Sequence, residues 1–529
     1  MDQRERVVAW IDDDVDPAAA AELQALLDAG EQGTAELADR FAGPLTFGTA
    51  GLRGPLRAGP NGMNRTVVRR AAAGLASWLS DQGHAGEPVV VGFDARYGST
   101  DFARDSAAIF AAAGFRAYLM PRVLPTPVLA FAVQHLHAAA GVMVTASHNP
   151  PQDNGYKVYA NDGAQIVPPA DREIEAAIQA VGSARAIPLD EDGLTVLGED
   201  IVDAYVAAVA GLVADGPRAL RIVHTAMHGV GTQTLLAVFD RAGFTDLTPV
   251  PEQARPDPDF PTVSFPNPEE PGALDLALAL AREQGADIVI ANDPDADRCA
   301  VALPVDGEWR MLRGDQVGVL LADALLASGV RGTYATTIVS SSMLGAMAER
   351  NGVGYAETLT GFKWISRAAP DLAYGYEEAL GYAVAPELVR DKDGISAALR
   401  IADRAARLQA DGSSLAARLE ELAAEYGRYV TDQVSIRVDD LSTISDTMER
   451  IRATPPAALL GHDVTVEDLL PDANVVRWSW PNGRVVVRPS GTEPKLKAYL
   501  EVVEPGGSAE VAADAMARLR DEVRELLGT

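Results

Sequence analysis

The chain has 529 residues, with 45 Lys+Arg against 75 Asp+Glu and a formal net charge of −30. So acidic a chain excludes a general nucleic-acid role, because phosphate backbones are bound by basic surfaces. Apolar residues at 47% and charged residues at 23% describe a globular protein rather than a disordered one, and at ~100–200 residues per domain the length predicts three to five domains.

The N-terminus, Met1-Asp2-Gln3-Arg4-Glu5-Arg6, is charged and lacks the apolar core of a signal peptide. No apolar run approaches the ~20 residues needed to span a bilayer, so the expectation is a cytoplasmic protein that does not bind membranes. Residues 1–40 read as helical, with Pro17 in a first turn. The glycine-rich stretch from Phe47 to Gly54 reads as a loop. A pattern of strand, helix, glycine and strand then occurs three times. It runs through Val89–Asp94, Asp101–Ala113, Gly114 and Phe115–Leu119. It returns at Leu220–His224, Thr232–Ala242, Gly243 and Phe244 onward, and again at Thr333–Val339, Ser341–Arg350, Gly352 and Val353 onward. The repetition predicts three related α/β domains, with a coincidence of ordinary βαβ units as the other reading. From Tyr429 the texture changes. Strands at Val430–Val438, Trp478–Trp480 and Arg484–Val487, followed by a helix over Ala509–Leu527, predict a smaller α+β module.

Four segments carry chemistry. In Gly141–Pro150 a buried strand ends in Thr145-Ala146-Ser147-His148-Asn149-Pro150, and the carboxyl ends of strands are where α/β sheets place ligands. The following Asp153-Asn154-Gly155-Tyr156-Lys157 reads as a second loop able to bring Lys157 back towards Ser147. A capping serine beside a surface histidine is the competing reading. In Ala286–Arg298 a second strand ends in Asp293, Asp295 and Asp297. Three close carboxylates repel unless a cation sits among them, and hard oxygens favour Mg²⁺ over zinc. A solvated acidic turn is the alternative there. The single cysteine, Cys299, excludes an internal disulfide and a cysteine-based zinc cluster. In Arg488-Pro489-Ser490-Gly491-Thr492-Glu493-Pro494-Lys495, two hydroxyls around a glycine flanked by cations suggest a phosphate cradle. Glu377 and Glu378, in a loop bounded by glycines, could accept hydrogen bonds from sugar hydroxyls, although alone they read more readily as a solvated loop.

With these four loops in this order, the chain resembles the α-D-phosphohexomutase superfamily, which holds the phosphoglucomutases and phosphomannomutases. The resemblance runs from about Pro44 to Val502. It implies an α/β fold of three similar domains with mixed sheets plus a smaller C-terminal α+β domain around a central cleft. The implied divisions are an N-terminal helical extension over 1–42, then domains over 43–200, 201–308, 309–425 and 426–529. By the same resemblance Ser147 is the phosphoserine, and Asp293, Asp295 and Asp297 hold one Mg²⁺ per chain together with an oxygen of the Ser147 phosphate. Thr49 and Arg53 contact the substrate phosphate or assist catalysis. Lys157 and His148 assist proton transfer, and Arg298 contacts the phosphoryl group in transit. Thr360, Lys363, Glu377, Glu378 and Lys392 belong to sugar recognition, while Arg488, Ser490, Gly491 and Thr492 grip the phosphate that does not react.

The implied activity is interconversion of glucose 1-phosphate and glucose 6-phosphate, with glucose 1,6-bisphosphate as intermediate and activator and a small phosphosugar as the only partner. The protein is expected as a monomer or homodimer. Ala379 stands where many relatives carry serine, which points towards the branch with phosphopentomutase-like and bisphosphate-forming members. Phosphomannomutase, phosphopentomutase and glucose 1,6-bisphosphate synthase are therefore alternative activities. A sugar-phosphate phosphatase or a non-catalytic sensor is the more distant reading.

Overall fold

Asp2 opens the chain's first helix, α1 (Gln3–Asp13), with a capping box: its carboxylate accepts from Glu5 N at 2.8 Å and the Glu5 carboxylate accepts from Asp2 N at 2.9 Å. Pro17 starts α2 (Pro17–Asp28), as its fixed φ favours. Gly30, at φ +59°, breaks the helical stretch expected over 1–40, and α3 (Glu31–Arg40) follows. The computed structural model describes residues 2–46, 51–438, 440, 442–490 and 495–528. Thr49, Gly491 and Thr492 therefore lie outside the described residues. The chain forms two units, one of residues 1–312 and 381–407, the other of residues 313–380 and 408–529.

In the first unit the helical extension buries Val7, Leu23, Leu27, Leu37 and Phe41 as a small core of its own. It is fastened to the helix Arg65–Asp81 by Asp14, which accepts from Thr66 Oγ1 at 2.7 Å, and by Asp13, which accepts from Arg70 Nη2 at 2.6 Å. The first sheet holds β1 (Leu52–Pro55), β2 (Pro88–Phe93), β3 (Arg116–Leu119), β4 (Ala140–Val144), β5 (Asp153–Ala160) and β6 (Thr195–Val196) in the order β1-β5-β4-β2-β3-β6. The valines of β2 and the residues of β4 are buried along their whole length, as a continuous apolar run covered on both faces requires. β2 runs parallel to β3 and β4, whereas β5 is antiparallel to β4 and to β1.

Two segments expected as loops are therefore strands. Leu52–Pro55 pairs with Asp153–Tyr156, and Asp153–Ala160 is β5. Gly51 accounts for the first difference. It sits at φ +80°, and a Cβ there would stand 2.0 Å from Tyr156 O, so the glycine serves close strand approach rather than a loop.

The second sheet repeats the plan with β7 (Ile222–Thr225), β8 (Leu247–Pro249), β9 (Ile288–Ala291), β10 (Ala300–Val305) and β11 (Glu308–Met311) in the order β11-β10-β9-β7-β8. A parallel trio ends again in an antiparallel fourth strand. His224 on β7 is wholly buried, with Nε2 2.9 Å from Asn292 Oδ1. Burial pushes its pKa down from 6.5 to about 4. The unfolded state then binds more protons than the folded one between those values, so stability rises with pH across that window. We expect stability to fall by about 3 kcal/mol as pH drops from 6.5 to 4 on account of this residue. Denaturant titrations should show His224→Gln losing that part of the slope.

In the second unit β12 (Thr333–Thr337) lies between and parallel to β13 (Gly354–Thr358) and β14 (Leu372–Glu377), the same trio a third time. β16 (Arg428–Arg437), β19 (Thr465–Asp468), β20 (Val476–Trp480), β21 (Gly483–Pro489) and β22 (Lys495–Glu504) form an antiparallel sheet in the order β16-β22-β21-β20-β19, with β17 (Ala458–Leu459) and β18 (His462–Asp463) interrupting them in sequence, while β15 (Gly381–Ala383) lies in the stretch 381–407 of the first unit. A long helix, Ala509–Leu527, covers β16 and β22 and buries Met516, Leu519 and Val523 against Trp478 and Leu500. Buried Glu501 joins this sheet to the trio: it accepts from Ser342 N at 2.8 Å and Ser342 Oγ at 2.7 Å, and pairs with Arg484 at 3.1 Å. The fold is thus α/β with mixed sheets, three related modules and one of a different kind.

Candidate active site

In the first unit the carboxyl end of β4 delivers Ser147. The residue is held at φ +52° and is 3% exposed, its N donating to Thr145 Oγ1 at 3.0 Å. Ser147 Oγ donates to Asp293 Oδ2 at 2.8 Å, across 146 residues of sequence. His148 Nδ1 lies 3.4 Å from the same Oγ and 4.0 Å from Asp293 Oδ2. The end of β9 delivers the acidic loop, a turn closed by Ala296 N donating to Asp293 O at 2.8 Å, with Ala296 at φ +56°. Asn292 closes it from below, Nδ2 donating to Arg298 O at 2.7 Å. Gly394 lets another backbone lie against this turn, since a Cβ there would stand 2.2 Å from Arg298 O.

All three aspartates are fully buried, and one oxygen from each lies within 4.8 Å of the others. Lys157, on β5, donates to Asp295 Oδ2 at 2.8 Å and to Asp297 Oδ2 at 3.0 Å. Thr126 Oγ1 donates to Asp295 Oδ2 at 2.6 Å. The Oδ1 atoms of Asp295 and Asp297 have no hydrogen-bond partner. Buried carboxylate oxygens without partners are costly, and a hard divalent cation among three of them removes the cost. The residues present therefore fit such an ion, and the solvated acidic turn is set aside.

Cations surround the carboxylates. Arg298 N donates to Asp293 Oδ1 at 3.0 Å, and its Nε lies 3.9 Å from Asp293 and Asp297. Lys392 Nζ lies 3.3 Å from Asp297 Oδ2. The resemblance groups Lys392 with the sugar-recognition residues; the structure sets it at the carboxylates. Asp391 positions it, accepting from Tyr159 Oη at 2.9 Å and Gln165 Nε2 at 2.8 Å while pairing with Lys392. Arg53 on β1 donates to Asn149 Oδ1 at 3.0 Å, which brings it to the Ser147 loop.

Burial works against the charge of Lys157, but Asp295 and Asp297 outweigh it and hold its pKa above the ordinary value. Burial and the cations of Arg298 and Arg53 push His148 well below its ordinary 6.5, so its ring is neutral. Burial and the charges of Asp295 and Asp297 push Asp293 well up, whereas Lys157 holds Asp295 down despite its burial.

The second unit holds the other expected residues. Glu377 ends β14, and Glu378 Oε2 accepts from Ser340 Oγ at 2.8 Å and Thr337 Oγ1 at 3.1 Å, fixing this loop to the end of β12. Thr360 and Lys363 flank Gly361, at φ +111°, where a short helix, Phe362–Ile365, begins. Lys363 Nζ lies 5.5 Å from the centre of the Trp364 ring. Arg488, on β21, bonds to the Tyr499 hydroxyl, whose ionisation is opposed by burial and by Glu378 and Glu377. Tyr499 is thus under the influence of Arg488, Glu377 and Glu378 together. Ser490 N donates to Lys495 O at 2.8 Å.

Residues not singled out from sequence also shape the site: Asp94, Arg96, Thr126 and Asp391. The signal for the first two was present, since Val89–Phe93 ends in Asp94-Ala95-Arg96 just as the other strands end in polar turns.

The chain is similar to known proteins along most of its length. Residues 44–185, 203–306 and 313–426 match phosphoglucomutase/phosphomannomutase alpha/beta/alpha domains I, II and III, and 434–525 match the C-terminal domain. A probable phosphomannomutase of Haemophilus influenzae is 47% identical, covering 88% of this chain and 98% of that protein. A phosphopentomutase of Mus musculus is 35% identical over 100% of this chain and 94% of its own. Among solved structures, a putative phosphomannomutase from Thermus thermophilus superposes with a TM-score of 0.74 at 29% identity, covering 92% of this chain and 99% of that one. Among the described residues no helix is long and apolar enough to cross a membrane. Four matched domains in order, with a serine, three aspartates and a ring of cations gathered in the first unit, place the chain in the phosphoglucomutase/phosphomannomutase family: it is a phosphosugar mutase, an isomerase acting by phosphoryl transfer.

Proposed function

We propose that the chain interconverts glucose 1-phosphate and glucose 6-phosphate through a phosphorylated Ser147 and a glucose 1,6-bisphosphate intermediate. The observation that carries this is the approach of Ser147 Oγ to Asp293 at 2.8 Å within a fully buried carboxylate trio. Asp293, Asp295 and Asp297, with an oxygen of the Ser147 phosphate, would hold one Mg²⁺, which supplies charge neutralisation at the phosphoryl group when bound.

The residues divide the remaining work by charge. Arg298, Lys157 and Lys392 oppose the negative charge of the phosphate and the carboxylates, and Arg53 positions the Ser147 loop through Asn149. A base must take the proton of the attacking sugar hydroxyl. His148 is neutral and beside Ser147 Oγ, whereas Lys157 is held charged, so His148 is the better placed of the two. Glu377 contacts sugar hydroxyls, and Arg488 with Ser490 holds the remote phosphate, a grip indifferent to which end of the sugar bears it.

Relatives named phosphomannomutase and phosphopentomutase keep a second reading in view, as does Ala379, where the chain lacks a hydroxyl beside the sugar. Losing one hydrogen bond to substrate changes discrimination by ~10-fold or more. Side-by-side kcat/KM values for glucose 1-phosphate, mannose 1-phosphate and ribose 1-phosphate test the choice. We expect the glucose ester to lead by at least about tenfold; a lead for the pentose or mannose ester replaces the substrate while keeping the reaction.

A further inference from the structure

Four backbone carbonyls of the Ser147 loop converge on one buried side chain. Arg96 Nη2 donates to Ser147 O at 2.7 Å and to Asn149 O at 2.5 Å, and Nη1 donates to Pro150 O at 2.7 Å and to Asp153 O at 3.1 Å. Carbonyl dipoles aimed at one point repel one another. Ser147 adds to the cost, because its φ of +52° is left-handed and disfavoured by ~1–2 kcal/mol for a residue with a Cβ. A fixed cation beneath the loop offsets both.

Arg96 is itself fixed. It is 4% exposed, and its N donates to Asp94 Oδ1 at 2.9 Å. Its Nε faces Asp94 Oδ2 at 3.4 Å, and its guanidinium lies 5.0 Å from the centre of the Phe260 ring. Asp94 is anchored in turn by Ser99 Oγ at 2.6 Å. These four hydrogen bonds of the guanidinium go to main-chain oxygens of the loop and leave Ser147 Oγ to its contact with Asp293.

We propose that Arg96 is a positioning residue for phosphoryl transfer, holding the Ser147 loop in one geometry whether or not the serine bears phosphate. This rests on the reading of Ser147 as the phosphorylated residue. In such a cycle Ser147 gives up a phosphate dianion and regains it in every turnover, and a loop free to relax would follow that charge. The in-line approach of an attacking hydroxyl tolerates little displacement, since a shift of ~1 Å costs ~100-fold in rate. Four acceptors spread over seven residues need a planar fork. A lysine ammonium keeps the charge but presents its donors from one point, so it cannot span them.

The test is Arg96→Lys, beside Leu79→Ala, a core truncation in the helix Arg65–Asp81 of the same module. With both variants folded at the assay temperature, Arg96→Lys is expected to lose ~100-fold in kcat, with KM for glucose 1-phosphate within about threefold of wild type. Single-turnover phosphorylation of Ser147 by glucose 1,6-bisphosphate should slow by the same factor. Leu79→Ala should lower Tm by at least as much and leave kcat and KM unchanged. A loss below about tenfold in kcat for Arg96→Lys, or a loss appearing in KM alone, overturns the proposal. Should Arg96→Lys fail to fold, Asp94→Asn keeps the guanidinium and loosens its anchor. It is expected to lower kcat by about tenfold at constant KM, and a kcat within about twofold of wild type overturns the proposal just as well. Ser147→Ala separates the two levels: an inactive Ser147→Ala with a fully active Arg96→Lys sinks only the positioning role, whereas an active Ser147→Ala sinks the phosphoserine reading beneath it.

Discussion

Ser147→Ala is expected to lower kcat for the interconversion of glucose 1-phosphate and glucose 6-phosphate by ~10⁴-fold or more, with little change in Tm. The size follows from the chemistry assigned to the side chain. Removing a covalent relay leaves the site to bind its substrate with no route for the phosphoryl group, and ~10⁴-fold corresponds to about 5.5 kcal/mol of lost transition-state stabilisation. The small effect on Tm follows from the structure. The Oγ makes one short hydrogen bond, to Asp293, a carboxyl already pushed up towards its neutral form by burial and by Asp295 and Asp297. Deleting that hydroxyl removes one hydrogen bond to a carboxyl near its neutral form and leaves the backbone at φ +52° as it was. Steady-state kinetics and a thermal melt on the same preparation check both halves. A variant that turns over at the wild-type rate contradicts the phosphoserine assignment.

Asp295→Asn is the second large effect, an expected ~10²–10³-fold loss in kcat at saturating Mg²⁺ together with at least about a tenfold rise in the Mg²⁺ concentration at half-maximal activity. Asp295 does two things at once. Its Oδ2 is taken by Lys157 and Thr126, at 2.8 and 2.6 Å, which fixes the carboxylate. Its Oδ1 is left without a partner, within the cluster of three aspartates. The amide keeps the shape, and its oxygen can still accept from Thr126, but half of the charge that holds Lys157 is gone. A readout independent of turnover is the rise in Tm on adding Mg²⁺, which binding to the folded state alone produces. Wild type should show the rise and Asp295→Asn should lose most of it. An equal rise in both places the ion elsewhere.

The sequence disclosed the site better than the frame that carries it. Each loop with chemistry follows a run of apolar residues long enough to be a buried strand, and β4 and β9 each end in the polar turn expected of them. Ser147 and the three aspartates were legible for that reason. Arg53 and Lys157 were found as residues but not as structure. The glycines around Arg53 suggested a loop, whereas Gly51 is there to let β1 lie against β5, and pairing with β1 and β4 makes a strand of the segment that carries Lys157. Such long-range pairing leaves little trace in local composition.

Lys392 shows the same limit. The resemblance alone gave it a role, in sugar recognition; its chain segment, residues 381–407, belongs to the unit of the aspartates, and only the fold reveals the Tyr159–Asp391–Lys392–Asp297 path. Arg96 sits in a polar turn after a buried strand, which marks the place in the sequence but not the role. Its meaning lies in four carbonyls brought to it by the return of the chain fifty or more residues later. The net charge of −30 also takes on sense at this point. Arg53, Lys157, Arg298 and Lys392 are gathered about one carboxylate cluster, a local positive field within an acidic protein.

The measurement closest to the central claim is the mass of the intact protein before and after brief incubation with glucose 1,6-bisphosphate, followed by an excess of glucose 1-phosphate, with fragmentation to locate any modification. The account predicts one phosphate on Ser147 after the first step and, in the second, its transfer to the added sugar and its regeneration from the 1-phosphate of the bisphosphate, so that Ser147 stays phosphorylated while glucose 6-phosphate forms. Turnover by a protein that carries no phosphate on Ser147 at any stage would contradict it.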